Sequence, residues 1–471
     1  MKDDEFREWS RRLAGWMADY RERVGERPVF PGVEPGAVLH RLPEAPPDEP
    51  EDMRRLLEDF ESIILPAMTH WNHPRFFAFF PANTSAPSIL AEMLTACLGA
   101  QCMSWETSPA ATELEMRVME WLRRMIGLPG TFEGVIQDTA SSATLVAMLM
   151  ARERATDGAF RRTGASAPGA ARLRVYASTE AHSSVEKAVF LAGIGAENLR
   201  GIPTDEHYAM RADALEEAVG RDLRDGLLPA AVVATVGTTA STAIDPLPEI
   251  AAISRRHGVF LHVDAAFAGT AAILPEMRPI LDGAEHADSL VFNPHKWMFT
   301  NFDCSAHFVR DGRLLRETCA IHPEYLRGEH DAEVVNYRDL GIPLGRRFRA
   351  LKLWWVIRSF GVEGLRRRLR EHLRLAAEFK DLVLAHPRFE LMAPVPLSLV
   401  CFRHRPEGLD EEATDAWNRD LLRRINQSGR AYLSHARLKG RFVLRMAIGQ
   451  ERTTASDVRA AWDLILRLAE A

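Results

Sequence analysis

Between residues 174 and 293, short apolar runs rich in β-branched residues alternate with stretches of helical periodicity. The runs are RVYAS (174–178), AAVVATVGT (230–238), GVFLHVDAAF (258–267) and SLVFN (289–293). Because they are apolar throughout, they predict strands covered on both faces, with crossover helices at 183–196 and 245–257. The pattern therefore predicts an α/β fold with a mainly parallel central sheet, and SAHFVRD (305–311) predicts a further strand.

Helical spacing also marks both ends of the chain. Apolar residues from Phe6 to Tyr20 share one helical face, which fits either a helix on its own core or a subunit interface. Prolines recur between 26 and 50 and predict an extended connector. Long helices at 350–385, two strands and a closing helix at 454–470 predict a small α+β domain. We expect an N-terminal helical segment (1–85), a large domain (86–360) and a small C-terminal α+β domain (361–471).

The composition excludes several classes of function. The 471 residues carry a net charge of −6, so no basic surface indicates nucleic acid or an anionic membrane. No run approaches the roughly 18 apolar residues of a membrane span, and MKDDEFREW is too acidic for a signal peptide. Five scattered cysteines suit reduced thiols in the cytoplasm. His70 and His73 lack a third ligand at suitable spacing, so no metal site is expected.

Polar residues follow several of the predicted strands. Ligands of open α/β sheets bind at the carboxyl ends of the strands, so we expect these residues to face one site. Each also has a purely structural alternative: a helix cap for Asp264, a core histidine for His182 and an ordinary N-cap for Ser141. The residues that follow strands are Thr139, Ala140, Ser141, His182, Thr238, Thr239, Asp264 and Lys296.

An aspartate, a lysine and a helix start are the groups that pyridoxal 5'-phosphate (PLP) requires. The lysine forms a Schiff base with the aldehyde, the aspartate pairs with the pyridinium nitrogen, and free N–H groups at a helix start bind phosphate. Lys296 follows Asp264 by about thirty residues, which is the order of fold-type I PLP enzymes.

Several stretches then carry a specific resemblance. HVDAAFAG, NPHKW and FDCS resemble the group II PLP decarboxylases, and more narrowly the aromatic L-amino-acid decarboxylase family. The likeness runs from ADYRERVGERPV near the start to RFVLRMAIG near the end, and the alanine- and arginine-rich character looks like a bacterial member. Other matching stretches are LPAMTHWNHPRFFAFFPA, SWETSPAATELE, GVIQDTASSATLVA, AHSSVEKA and GIPLGRRFRALKLWWVIRSFG.

The resemblance implies a fold-type I architecture and a role for each matching residue. Lys296 is the Schiff-base lysine, Asp264 keeps the pyridine nitrogen protonated, and His182 stacks on the cofactor ring near the substrate carboxylate. Tyr325 matches the tyrosine of a mobile catalytic loop. The phosphate-binding set would be Ala140, Ser141, Asn293 and His295, and Thr239 would lie near the ring and the substrate.

The resemblance also implies a substrate pocket and a homodimer. Trp71, Phe79, Phe80 and Ala82 match the pocket wall, and Gln101 and Met103 match positions that reach in from the partner subunit. An N-terminal segment that wraps around the partner favours the interface alternative for the first helix. Phe79 replaces a common tyrosine, Ala82 replaces threonine or serine, and Gly345 stands where histidine- and some phenol-preferring relatives have serine.

The resulting prediction is decarboxylation of an aromatic L-amino acid to an arylalkylamine and CO2. Tryptophan, 5-hydroxytryptophan, DOPA, tyrosine and phenylalanine stay open as substrates. One alternative is an aromatic aldehyde synthase, whose family members tend to replace the loop tyrosine or the stacking histidine. The other is a non-catalytic dimeric scaffold, against which the presence of His182, Asp264 and Lys296 argues.

Overall fold

The computed structural model describes residues 1–165, 171–321, 330–331 and 333–470. The chain forms two compact units. The central unit comprises Ala82–Ala376 and Ala393–Leu399, and the terminal unit comprises Met1–Pro81, Ala377–Met392 and Val400–Ala471. The domain boundaries expected from the sequence stay a prediction.

Helices and strands of the described residues are numbered in chain order. The helices are α1 (Asp3–Arg23), α2 (Met53–Asp59), α3 (Ala86–Leu98), α4 (Pro109–Ile126), α5 (Ala140–Ala155), α6 (Ala159–Thr163), α7 (Ser183–Leu191), α8 (Ala212–Arg224), α9 (Leu247–His257), α10 (Pro294–Trp297), α11 (Gly312–Cys319), α12 (Arg349–Ala385), α13 (Glu411–Gln427) and α14 (Ala455–Glu470). The strands are β1 (Phe76–Phe77), β2 (Glu133–Gln137), β3 (Leu173–Ser178), β4 (Leu199–Ile202), β5 (Leu228–Thr235), β6 (Phe260–Asp264), β7 (Ser289–Phe292), β8 (Ser305–Val309), β9 (Phe389–Leu391), β10 (Leu399–His404), β11 (Tyr432–Leu438) and β12 (Arg441–Ala447).

The central unit contains a seven-stranded sheet in the order β2-β8-β7-β6-β5-β3-β4. Strands β4, β3, β5, β6 and β7 run parallel, whereas β8 is antiparallel to both β7 and β2. The predicted mainly parallel sheet is therefore confirmed. The connection from β7 to β8 contains α10 and brings the chain back antiparallel to β7.

Strand ends align at one edge of this sheet. Thr235 at the end of β5 pairs with Asp264 at the end of β6, and Asp264 pairs with Val291 of β7. Residues of β6 and β7 are buried throughout, as expected for strands with helices on both faces. The sheet thus brings the residues that follow β5, β6 and β7 to a common edge.

The terminal unit has its own five-stranded sheet in the order β1-β11-β12-β10-β9. Strand β1, from the N-terminal part of the chain, pairs in parallel with β11, and the pairs β11–β12 and β9–β10 are antiparallel. The predicted strands and closing helix of the α+β region are confirmed as β10, β12 and α14. Among the helices of the described ranges, none combines the length and the apolar character that a membrane span needs.

Candidate active site

Asp264 closes β6 with a nearly buried carboxylate, since the residue is 5% exposed. Its Oδ1 accepts a hydrogen bond from the N–H of Ala266 at 3.0 Å, which turns the chain immediately after the strand. The neighbouring strands hold its backbone, because Val236 donates to the carbonyl oxygen of Asp264 at 2.9 Å and Ala265 donates to that of Val291 at 2.9 Å. The carboxylate is therefore fixed at the edge of the sheet.

Lys296 lies in the short helix α10, just beyond the end of β7. The residue is only partly exposed, and burial lowers the pKa of its amine while the charge of Asp264 opposes that change. A lowered pKa raises the fraction of neutral amine, which is the nucleophilic form. The backbone of α10 is held by Asn83, whose side-chain nitrogen donates to the carbonyl oxygen of Lys296 at 2.6 Å.

His182 caps the N-terminus of α7 with its ring. The Nδ1 atom accepts a hydrogen bond from the N–H of Ser184 at 3.1 Å, which fixes the orientation of the imidazole. Desolvation lowers the pKa of His182, Asp264 raises it and Lys296 lowers it further. His182, Asp264 and Lys296 thus lie within electrostatic reach of one another.

Helix α5 begins just after β2, a strand of the seven-stranded sheet. Thr139 is its N-cap and accepts a hydrogen bond from the N–H of Ser142 at 3.3 Å, so the cap is Thr139 and not Ser141 as the sequence suggested. Ala140 and Ser141 form the first turn, whose N–H groups have no acceptor inside the helix. Ala140 packs on Val291 of β7, and Ser141 is exposed. This turn can accept an anion.

Asn293 and His295 are buried in the connection between β7 and β8. Asn293 Oδ1 accepts from the hydroxyl of Ser305 at 2.7 Å, and His295 Nδ1 accepts from the N–H of Cys304 at 2.9 Å. Burial lowers the pKa of His295 to about 3, so its ring is neutral. The donors left on these side chains are Asn293 Nδ2 and His295 Nε2.

Two predicted site residues remain, Thr239 and Tyr325. Thr239 follows β5 and is exposed, and the preceding Thr238 is buried, where its Oγ1 accepts from the N–H of Ala243 at 3.0 Å. Tyr325 lies outside the described residues.

The predicted pocket residues of the terminal unit, Trp71, Phe79 and Phe80, are all aromatic. Phe79 stacks on Trp71 with ring centroids 5.7 Å apart, and the guanidinium of Arg445 lies 5.5 Å from the ring of Phe80. Phe79 has a φ of +55°, an uncommon value for a bulky residue, and its N–H donates to Ser434 Oγ at 3.0 Å. Such backbone conformations occur often at functional sites.

The predicted pocket residues of the central unit include a second group. Gln101 Oε1 accepts from the N–H of Arg346 at 2.6 Å, and a Cβ atom on Gly345 would lie 3.2 Å from Gln101 Nε2. On the same segment, the carbonyl oxygen of Met103 accepts from the N–H of Arg338 at 2.8 Å. Gln101 and Gly345 are therefore neighbours, and Ala82 lies apart from them in sequence, directly before Asn83.

The residues of the central unit fit PLP by their chemistry. A nearly buried carboxylate can pair with a pyridinium nitrogen, a partly buried amine can bind an aldehyde, and the start of α5 can hold a phosphate. The structural alternatives for Asp264, His182 and Ser141 treat each residue separately and do not explain why these groups occur together.

Comparison with known proteins decides the family. The family model described as "Pyridoxal-dependent decarboxylase conserved domain" matches residues 35–405. The chain belongs to the pyridoxal-dependent decarboxylase family. The fold-type I class and the cofactor PLP predicted from the sequence are confirmed by this membership and by related structures solved with PLP.

Relatives of this decarboxylase family member match along almost its whole length. Phenylacetaldehyde synthase of Arabidopsis thaliana is 44% identical, with 99% of this chain and 96% of that protein covered. Aromatic-L-amino-acid decarboxylase of Sus scrofa is also 44% identical, with 100% and 97% covered. The solved structure of Oryza sativa TDC with PLP and tryptamine has a TM-score of 0.95 and 39% identity, with 100% and 98% covered.

The sequence did not single out the residues that hold the site in place. Asn83 positions α10, and Ser305 positions Asn293. Asn83 lies in the stretch PANTSAPS, which has the composition of a loop. A usable signal does exist elsewhere: His262 and Ser289 are polar residues inside otherwise apolar strands, where a polar side chain is unusual.

Proposed function

We propose that this family member decarboxylates aromatic L-amino acids and releases CO2 and an arylalkylamine. The observation that carries the proposal is the electrostatic grouping of His182, Asp264 and Lys296. A relative named aromatic-L-amino-acid decarboxylase, 44% identical along the full chain, supports it.

The proposed roles follow from the chemistry of each side chain. When bound, PLP draws electrons away from the bonds at the amino-acid Cα, which is what the loss of CO2 requires. Lys296 would hold the cofactor covalently through its amine. Asp264 would keep a proton on the pyridine nitrogen, because a carboxylate favours a neighbouring cation. The first turn of α5, with Asn293 and His295, would bind the phosphate.

Two further residues would act on the substrate. The ring of His182, oriented by the N–H of Ser184, would cover the cofactor ring and lie near the substrate carboxylate. Tyr325 would donate a proton to Cα after CO2 has left.

The proposed pocket residues limit which groups on the substrate ring can be bound. Phe79 and Ala82 offer no side-chain hydrogen bond to a ring hydroxyl. Gly345 adds no side chain to the pocket, and the side chain of Gln101 occupies the space beside it. Tryptophan, 5-hydroxytryptophan, DOPA, tyrosine and phenylalanine are the candidates. The same proposal includes a homodimer with shared sites and a cytoplasmic location. The relatives named above are from eukaryotes, and a bacterial origin stays a prediction.

Kinetics with the purified, PLP-loaded protein on these five amino acids tests the proposal. We expect one equivalent each of amine and CO2, without oxygen uptake. The protein should absorb visible light, and borohydride should abolish that absorbance. Lys296→Ala should lose both activity and absorbance, whereas Lys187→Ala, at an exposed lysine of α7, should keep both. A colourless protein that takes up no added PLP would contradict the proposal.

An aromatic aldehyde synthase is the second candidate. A relative named phenylacetaldehyde synthase, 44% identical to this chain, supports it. That reaction consumes oxygen and releases ammonia and hydrogen peroxide, so these three measurements on the same substrates separate the two activities. The presence of His182 and Tyr325 favours the amine.

A further inference from the structure

Four buried polar side chains in the central unit form a continuous series of hydrogen bonds, which we call the polar chain. Thr144 Oγ1 lies 3.3 Å from His262 Nε2, His262 Nδ1 lies 3.0 Å from Ser289 Oγ, and Ser289 Oγ lies 2.8 Å from His307 Nε2. Thr144, His262, Ser289 and His307 are each 0% exposed. The polar chain therefore joins α5 to the neighbouring strands β6, β7 and β8.

The polar chain meets two elements of the candidate site. Thr144 lies about one helical turn after Ala140, at the start of α5. His262 lies two residues before Asp264 in β6, so the two side chains point to the same face of the sheet. The hydrogen bond between Thr144 and His262 thus connects the helix that begins at the proposed phosphate site with the strand that ends at Asp264.

We propose that His262 is a positioning residue for PLP, fixing the start of α5 relative to Asp264. The cofactor has a phosphate at one side and a pyridine nitrogen at another, so both can be bound well only when these two elements keep a set separation. This inference rests on the proposed phosphate site at Ala140 and Ser141.

Histidine suits this position because both of its ring nitrogens take part. Burial lowers the pKa of His262 to about 3, so the ring is neutral and has one donor and one acceptor. His307 Nδ1 has no hydrogen-bond partner among the described residues. Because a buried N–H without a partner is rarer than a buried acceptor without one, we infer that His307 carries its proton on Nε2. Donation then runs from His307 through Ser289 and His262 to Thr144.

Two amide substitutions separate the two hydrogen bonds of His262. His262→Gln can place an amide nitrogen near the position of Nε2 and keep the bond to Thr144. His262→Asn can replace only Nδ1 and keep the bond to Ser289. Thr144→Val is nearly isosteric and removes the hydroxyl alone. A buried group left without its partner costs enough to change an equilibrium roughly tenfold.

Titration of the apoprotein with PLP and with pyridoxal, which lacks the phosphate, provides the test. We expect PLP affinity to fall about tenfold in Thr144→Val and His262→Asn and less than about threefold in His262→Gln, with pyridoxal affinity nearly unchanged. The double variant Thr144→Val/His262→Asn should lose no more than either single variant, because both remove the same bond.

A matched control is His404→Leu in the terminal unit, which removes the acceptor of a buried hydrogen bond. His404 is also buried, and its Nδ1 accepts from Trp417 Nε1 at 2.9 Å. This variant should lower thermal stability and leave the ratio of PLP to pyridoxal affinity unchanged. Two results would overturn the role of His262, provided that Ser141→Glu still weakens PLP binding. One is an equal loss of PLP and pyridoxal affinity, and the other is a PLP affinity of His262→Gln as low as that of His262→Asn. If Ser141→Glu leaves PLP affinity unchanged, the phosphate does not bind at Ala140 and Ser141, and the inference about His262 is wrong as well.

Discussion

The side-chain amide of Asn83 donates a hydrogen bond to the carbonyl oxygen of Lys296 at 2.6 Å, and the N–H of Asn83 donates to the carbonyl oxygen of His295 at 3.1 Å. Helix α10 has only four residues, so its carbonyl groups have few acceptor roles inside the helix. Asn83 therefore fixes the backbone that carries Lys296, the proposed Schiff-base lysine.

Asn83→Ala should weaken the retention of PLP and lower the stability. The substitution leaves the carbonyl of Lys296 without this donor, which costs about 1–3 kcal/mol. We expect less visible absorbance at equal PLP concentration and a lower unfolding midpoint. Asn418→Ala is the control, because Asn418 makes a similar bond to the carbonyl oxygen of His404 in the terminal unit at 2.7 Å. Equal effects of both variants on absorbance would contradict a specific role for Asn83.

Asp264→Asn should bind PLP and lose most of its turnover. An amide cannot stabilise the protonated pyridine nitrogen as a carboxylate does, so the electron sink is weakened. Cofactor content and kcat are measured on the same preparation. Wild-type kcat in this variant would show that Asp264 has no electronic role.

Tyr325→Phe should shift the product from arylalkylamine toward aryl acetaldehyde and ammonia. Phenylalanine keeps the ring and removes the proton donor, and general acid catalysis is typically worth about 10²–10⁴-fold, so amine formation should drop by that factor. Substrate binding should change little. The product ratio is measured under air and under argon, because aldehyde formation requires oxygen.

Tyr176→Phe serves as the control for Tyr325→Phe. Tyr176 is buried in β3, and its hydroxyl donates to Asp222 at 2.8 Å, so its loss should affect stability alone. An unchanged amine rate in Tyr325→Phe, with no aldehyde in air, would rule out the proton-donor role.

Mixed dimers should restore activity from two inactive chains. If Met103 completes the site of the partner subunit, then Lys296→Ala and Met103→Glu chains are each inactive alone. After subunit exchange at equal amounts, half of the dimers are hybrid and each has one intact site, so about a quarter of wild-type activity should return. Exchange is verified by native mass spectrometry. No recovery after verified exchange would contradict a shared site.

Acidification should destabilise the fold before the carboxylates titrate. Burial lowers the pKa of His262, His295 and His307 to about 3 in the folded chain, against 6.5 in the unfolded chain. The unfolded chain therefore takes up more protons as the pH falls through 6.5, and each imidazole removes about 2 kcal/mol of stability between pH ~7.5 and pH ~5. Urea unfolding at fixed protein concentration measures this loss. His262→Gln should reduce the loss of stability by the contribution of one histidine. A pH dependence identical to that of the wild type would contradict a lowered pKa for His262.

The strands were predictable because each carries its own signal. RVYAS and SLVFN are apolar, short and β-branched, and both appear as the buried strands β3 and β7. The clustering of residues after β5, β6 and β7 was also predictable, because parallel strands end at one edge. The sequence predicted Asp264 and Lys296 on this basis, and the structure brings their charges within reach of each other.

The supporting contacts were not predictable for a different reason. Asn83 and Lys296 are 213 positions apart, and no local pattern encodes which side chain satisfies a given carbonyl. The cap of α5 was ambiguous because both Thr139 and Ser141 are good N-cap residues, and only the backbone conformation decides between them. The pairing of β1 with β11 likewise joins parts of the chain that no short window covers.

The side chain of Gln101 limits which residues can replace Gly345. A side chain at 345 would begin 3.2 Å from Gln101 Nε2, while Gln101 Oε1 is already held by the N–H of Arg346 at 2.6 Å. The amide cannot withdraw without losing that bond. A side chain added at 345 therefore requires the side chain of residue 101 to move by a few tenths of an ångström, so a substitution at 345 is best tolerated together with a shorter side chain at 101.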